Sequence, residues 1–231
     1  MKNITYTKLI EACDDNITFY THHIEILREK INSIEKVKNF LKTIDSKAKF
    51  DDFNEIEQII NVNAFLAIVL LDLSVVLKNL YSVQTDWEKA FFIKNGFLII
   101  HESCRKLNPK KGHPYIKQKI FSEYKSLKSD YGKVLKSISE FEKRDIYKKI
   151  ESVRHTIAGH IEKNLKKHYD LTNELNHEET ALVINDFIII LNQFLKITTD
   201  YVNAANRVKA IKPLSENEAE QLNILRNILK I

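Results

Sequence analysis

Residues 10–34 read IEACDDNITFYTHHIEILREKINSI, and this stretch decides the fold. Its apolar positions, Ile10, Cys13, Ile17, Tyr20, Ile24, Leu27, Ile31 and Ile34, recur at alternating intervals of three and four. A half-buried strand would repeat every second residue, whereas this spacing returns each side chain to one face of a helix. Val37, Leu41 and Ile44 carry the stripe onward after one slip of phase. A seam of this kind is satisfied by an internal bundle partner or by a second copy of the chain.

Working outward, the same spacing returns in Ile120, Tyr124, Leu127, Tyr131, Val134, Ile138 and Phe141. Between the two stripes, Asp51 to Glu57 reads as a polar break with Asn54 as a cap. A strongly apolar helix follows it from about Ile56 to Tyr81. Thr85-Asp-Trp-Glu88 is a capping box, in which hydroxyl and carboxylate satisfy each other's backbone donors, and it opens a helix to about Leu107. Asn108 to Pro114 is the clearest loop, with Pro114 at a helix start. Ile146, Ile150, Val153 and Ile157 form a further apolar set, and Asn164 to Glu178 reads as a polar connection. A long helix runs from Ala181 to about Val208, Pro213 ends it, and Ser215-Glu-Asn-Glu218 is a second capping box before a short terminal helix. With no repeat or dividing linker, the expectation is an all-α helical bundle of long antiparallel helices, one domain over residues 1–231.

Composition agrees with few, long elements. Four Gly and three Pro in 231 residues leave too few breakers for a sandwich or barrel, which turns every 8–12 residues or so. Lys and Arg total 36 against 31 Asp and Glu, a net charge of +5 that permits contact with nucleic acid without requiring it. Cys13 and Cys104 make neither a disulfide framework nor a metal set, so buried free thiols in a reducing cytoplasm are expected. The opening Met1 to Tyr6 lacks the apolar run of a signal peptide. The apolar runs Val62–Leu77 and Ala181–Ile197 carry Asn63, Asp72 and Ser74, and Asn185, Asp186 and Asn192. Both are short for a membrane span, so they read as core helices of a cytoplasmic protein with no membrane partner.

Most enzyme signatures are missing. There is no glycine-rich phosphate loop, no zinc-type Cys/His spacing and no serine elbow. His22 and His23 are adjacent, about 100° apart on a helix, and read as surface histidines. His101-Glu102 sits beside an apolar run and reads first as a satisfied core or rim histidine, with a buried polar pair near a site as the alternative. Asp145, Asp170 and Asp186 form no carboxylate pair, and the aromatics fall at helical spacing, as core residues do, rather than as a base-stacking platform.

One segment stands apart: residues 150–161, IESVRHTIAGHI. It holds Arg154, followed by the polar His155, and then His160 after five intervening residues. This resembles the active-site motif of the HEPN-domain family, in its abortive-infection and toxin-like branch. There an arginine and a polar residue precede a histidine by a similar gap. The resemblance rests on about a dozen residues and the helical surroundings; Gly159 stands where that family more often has alanine, and no acidic partner is apparent. The resemblance implies a metal-independent endoribonuclease acting as a homodimer on RNA, with no cofactor, in a toxin or phage-defence setting with a cognate antitoxin or partner protein.

Elementary chemistry fits those residue types. Cleavage through the 2′-hydroxyl needs a proton shuttle near neutral pH and a cation on the phosphate, roles suited to histidine and arginine. Six residues apart on one helix, Arg154 and His160 diverge by about 120°. They converge only through an irregular backbone near Gly159 or across a twofold interface. In this reading His160 is the general acid or base, Arg154 holds the phosphate and His155 orients it. Lys148, Lys149, Lys163, Lys166 and Lys167, with Lys110 and Lys111 in the loop, supply a basic footprint for RNA. The rival expectation is a helical binding module that retains the motif without activity.

Overall fold

The computed structural model describes residues 2–44, 51–107, 125–155, 166, 169–170, 172 and 174–211. Most of them fall in six helices: α1 (Lys2–Ile44), α2 (Asp51–Ser82), α3 (Asp86–Leu107), α4 (Lys125–Glu142), α5 (Asp145–Val153) and α6 (His177–Ile211). Among the described residues there is no strand. The all-α expectation therefore holds, and side-chain pairings show that neighbours run antiparallel. Lys78 pairs with Asp14 at 2.5 Å near one end of α1 and α2, and Lys38 pairs with Glu57 near the other. On α4 and α6, Tyr131 meets Phe194 at 5.6 Å between ring centroids, and Phe141 meets Phe187 at 5.1 Å.

The core lies between α2, α3, α4 and α6. Phe97, Phe141, Phe187 and Phe194 are its largest fully enclosed side chains. Burying a side chain of that size contributes about 1.5–3 kcal/mol each. Gly96 marks the tightest crossing: a Cβ there would stand 3.0 Å from Ile184 Cδ1 on α6 and 3.2 Å from Val76 Cγ1 on α2. The stripe on α1 is buried only at Cys13, Tyr20 and Leu27, one residue in seven, while Ile17, Ile24, Ile31 and Ile34 are half-buried. A polar chain ties α1 inward. His23 Nε2 donates to Asn63 Oδ1 at 2.8 Å, and Asn63 Nδ2 donates to Thr198 Oγ1 at 3.1 Å and to Thr199 Oγ1 at 3.3 Å. Tyr20 adds a bond to Asn192 Oδ1 at 2.7 Å. His23 is thus an inter-helix link rather than the surface histidine expected; His22 is exposed, 3.9 Å from Glu25.

Several boundaries differ from the expectation. The Asp51–Glu57 break is the first turns of α2, and Asn54, expected as a cap, instead accepts from Lys38 Nζ at 2.7 Å. Polar residues open that helix because its early outer face meets α1's charged side and solvent. Likewise α6 begins at His177, inside the stretch read as a connection, because Asn176 Oδ1 caps it by accepting from the Glu179 amide at 2.9 Å. The Thr85 capping box forms as expected: Thr85 N donates to Glu88 Oε2 at 3.0 Å and Glu88 N to Thr85 Oγ1 at 3.2 Å. The Asn108–Pro114 loop, Ile120, Tyr124, Ile157 and the Ser215 box lie outside the described residues. Both cysteines are free and buried, and burial, with Asp14 adding to it, pushes the Cys13 thiol up to about 11. By length and composition α2 and α6 are apolar enough to cross a bilayer; here 61% and 56% of their most apolar windows are buried within the bundle.

Candidate functional site

The site is built where α5 meets α3. Helix α5 is nine residues long and presents Tyr147, Ile150 and Val153 to the core. That three-residue spacing makes one buried face and leaves Lys148 and Lys149 outside. After Val153 the regular helix ends, and the backbone opens into a wider π-type turn at Arg154 and His155. The Arg154 amide is shared between the Ile150 and Glu151 carbonyls. Arg154 itself keeps α-helical backbone angles (φ −57°, ψ −46°), and its guanidinium meets Glu102 on α3. Gly159, where an irregular backbone is one of the two ways to bring the pair together, and His160 lie outside the described residues.

On α3 the receiving residue is Glu102. Its Oε1 accepts from Arg154 Nε at 3.2 Å and from Nη2 at 3.1 Å. The third edge of the guanidinium, Nη1, donates to His155 Nδ1 at 3.2 Å. A guanidinium has no acceptor, so His155 carries its proton on Nε2. His101 completes the group: Nδ1 lies 3.4 Å from Glu102 Oε1, and its ring stands edge-on to His155 at 6.0 Å. On its other side the ring stacks near-parallel to Tyr147 at 6.3 Å. Two imidazoles, one guanidinium and one carboxylate therefore share a patch, brought together from residues about fifty apart in sequence.

The electrostatics follow from that layout. Burial lowers the His101 pKa, and the Arg154 charge lowers it further, against the opposing pull of Glu102. Burial and the Arg154 charge thus both favour the neutral His101 imidazole. Burial alone would raise the Glu102 pKa, but the hydrogen bonds and charge of Arg154, with His101, hold it below the usual carboxylate range. The Tyr147 hydroxyl is pushed upward, chiefly by burial. Among the described residues no group of three or more His, Cys, Asp or Glu is arranged to hold a metal ion.

Arg154 and His155 are therefore adjacent in space as in sequence. The basic footprint is less free than its sequence implies. Lys148 pairs with Asp145 at 2.8 Å, and Lys149 donates to the Glu174 carbonyl at 3.0 Å and to Glu179 at 3.2 Å. Lys166 is exposed, while Lys110, Lys111, Lys163 and Lys167 lie outside the described residues. From sequence, His101-Glu102 reads first as a core or rim pair, and nothing in the spacing links it to the motif. The available signal was a polar pair directly after the apolar run Phe97–Ile100. No protein family, curated protein or solved structure matches the chain.

Proposed function

We propose that the chain is a metal-independent endoribonuclease of the HEPN type, acting as a homodimer in a bacterial toxin or phage-defence role in the cytoplasm. The observation that carries this reading is the Arg154 guanidinium, clamped by Glu102 and donating to His155. The carboxylate orients the cation and leaves one edge facing the histidines, the arrangement needed to seat a phosphate beside a proton acceptor. A neutral imidazole takes the proton of the ribose 2′-hydroxyl and the oxygen attacks phosphorus. The bond to the 5′-oxygen breaks, and a second imidazole, protonated before the step, gives its proton to that leaving group. His160 is the candidate for one of these transfers, Arg154 holds the phosphate, and His155 orients it; His101 and Glu102 are positioning residues.

The same ion pair favours a second reading. Both Nε and Nη2 of a partly buried arginine are committed to one carboxylate, as in a purely structural bridge. In that case the chain is a helical module that binds nucleic acid or protein without cleaving it. Cleavage of RNA in the presence of EDTA by wild type, Arg154→Ala and His160→Ala separates the two. Activity lost in both variants, with the helical spectrum unchanged, supports the nuclease; binding without cleavage in every buffer supports the module. Expression offers a second readout, since growth arrest relieved by His160→Ala belongs to the nuclease alone.

A further inference from the structure

At the opposite end of α3 from Glu102 lies a cavity of about 490 Å³. Its walls come from the first turns of α3, from Tyr169, Thr172 and Leu175, and from His177 at the start of α6. Trp87 and Tyr169 stand at its mouth, 57% and 51% exposed, with ring centroids 6.4 Å apart and planes tilted by 59°. Aromatic residues so open to water bury little area for the fold, and here two from distant parts of the chain are gathered at one opening. That arrangement corrects the expectation that the aromatics are core residues alone. Behind them Ala90, Ile93 and Leu175 make an apolar floor, while Lys89, Thr172 and His177 supply polar groups.

The N-termini of α3 and α6 both open here, each closed by its own cap. Their first turns carry acidic residues, Asp86 and Glu88 on α3 and Glu178 and Glu179 on α6, so the charge that faces a phosphate comes from Lys89 and His177. Asp86 on the rim opposes this, but its charge is shared with Lys89 at 3.6 Å. A volume of this size is that of a small-ligand site. The chemistry is that of a flat π-system attached to a phosphate: aromatic faces for the ring, Lys89 and His177 for the charge. A tilted pair at 6.4 Å leaves no slot between the rings, so a base lies against the open indole face and extends the stack.

We propose that this cavity is a nucleobase-binding subsite, holding one unpaired base of a single-stranded RNA by stacking on Trp87 and Tyr169 with Lys89 and His177 toward its phosphate. The inference rests on the ribonuclease reading for its biological substrate, and on the cavity alone for its ligand class. Trp87 and Glu102 are 15 residues apart on α3, about 22 Å at the helical rise. A strand cut beside Arg154 reaches the cavity several nucleotides away, so the subsite measures length and demands an unpaired base there.

Trp87 is the sole tryptophan of the chain, so its fluorescence reads this site alone. Adenosine monophosphate and a hexameric oligoadenylate are titrated into wild type, Tyr169→Ala, Tyr169→Phe and Lys89→Gln, beside inorganic phosphate and tetramethylammonium. Saturable quenching by both nucleotides is expected, weakened about tenfold in Tyr169→Ala, retained in Tyr169→Phe and weakened severalfold in Lys89→Gln. Phosphate alone leaves the emission unchanged. Lys89→Gln alters a side chain at the surface end of the helix, so it stands if Tyr169→Ala fails to fold. Absence of nucleotide quenching, equal quenching in wild type and Lys89→Gln, or saturation by tetramethylammonium instead would overturn the subsite. Quenching without RNA cleavage keeps the subsite and defeats the nuclease reading; cleavage without quenching does the reverse.

Discussion

The three edges of one guanidinium organise the candidate site, and their partners give it a pH signature. Arg154 and Glu102 are each about one-third exposed, so solvent screens the pair, and Glu102→Gln should cost about 1–2 kcal/mol in chemical denaturation. The sharper consequence falls on His101. Arg154 lowers its pKa and Glu102 raises it, so Arg154→Ala should move the His101 titration upward and Glu102→Gln downward. Histidine ring shifts followed by NMR check both signs; motion in the same direction would contradict the geometry. Stability follows by linkage. The folded pKa of His101 lies below its unfolded value of 6.5, so the unfolded chain takes up the proton first. The contribution is intact above about pH 6.5 and drains away as pH falls through the folded pKa. Glu102, held below 4.5, adds a second loss below that value. Denaturation midpoints between pH 8 and 5 should fall in wild type and fall less in His101→Gln. Arg154 and His155 were legible as a motif, because adjacency in sequence survives folding. Glu102 was not linked to them, since the pairing depends on how α5 crosses α3.

The helices were legible to the extent that their apolar spacing was regular. On α4, Leu127, Tyr131, Val134, Ile138 and Phe141 are all buried, as the three-and-four spacing requires. Helix starts were misplaced wherever polar residues supply the first turns, as at Asp51 and His177, because hydropathy registers burial and not backbone conformation. The Asn176 cap shows what was missed, and Asn176→Ala should cost about 1 kcal/mol by urea denaturation, with Asn176→Gly costing only a few tenths. Two helical glycines give a sharper contrast. Gly132 on α4 has open space where a Cβ would sit, so Gly132→Ala should stabilise by about 0.5–1 kcal/mol through helix propensity. Gly96 has Ile184 and Val76 within 3.2 Å of that point. The same substitution there should yield no gain, and Gly96→Val should lower the midpoint clearly through overpacking. Equal gains at both glycines would mean that the α2, α3 and α6 crossing is looser than described.

For the whole molecule, the all-α bundle was readable because scarce glycine and proline and long stripes admit little else. Assembly was not, since a half-buried stripe serves an internal partner and a second copy equally well. The proposed nuclease makes a definite demand here. If each site draws Arg154 from one subunit and His160 from the other, two dead variants should complement. Co-refolding Arg154→Ala with His160→Ala should restore about a quarter of wild-type activity, from one intact site in half of the dimers. Complete inactivity of the mixture, with mixed dimers confirmed by mass, would place both residues in one subunit. The polar chain from His23 through Asn63 to Thr198 and Thr199 carries one more consequence. A stripe that repeats every seven residues fits its neighbour almost equally well after sliding by one repeat. A buried amide that must meet an imidazole on one side and hydroxyls on the other has a single matching offset. Those few bonds therefore act as a detent against slippage of α1, and substituting Asn63 by leucine should leave a helical but sliding helix pair.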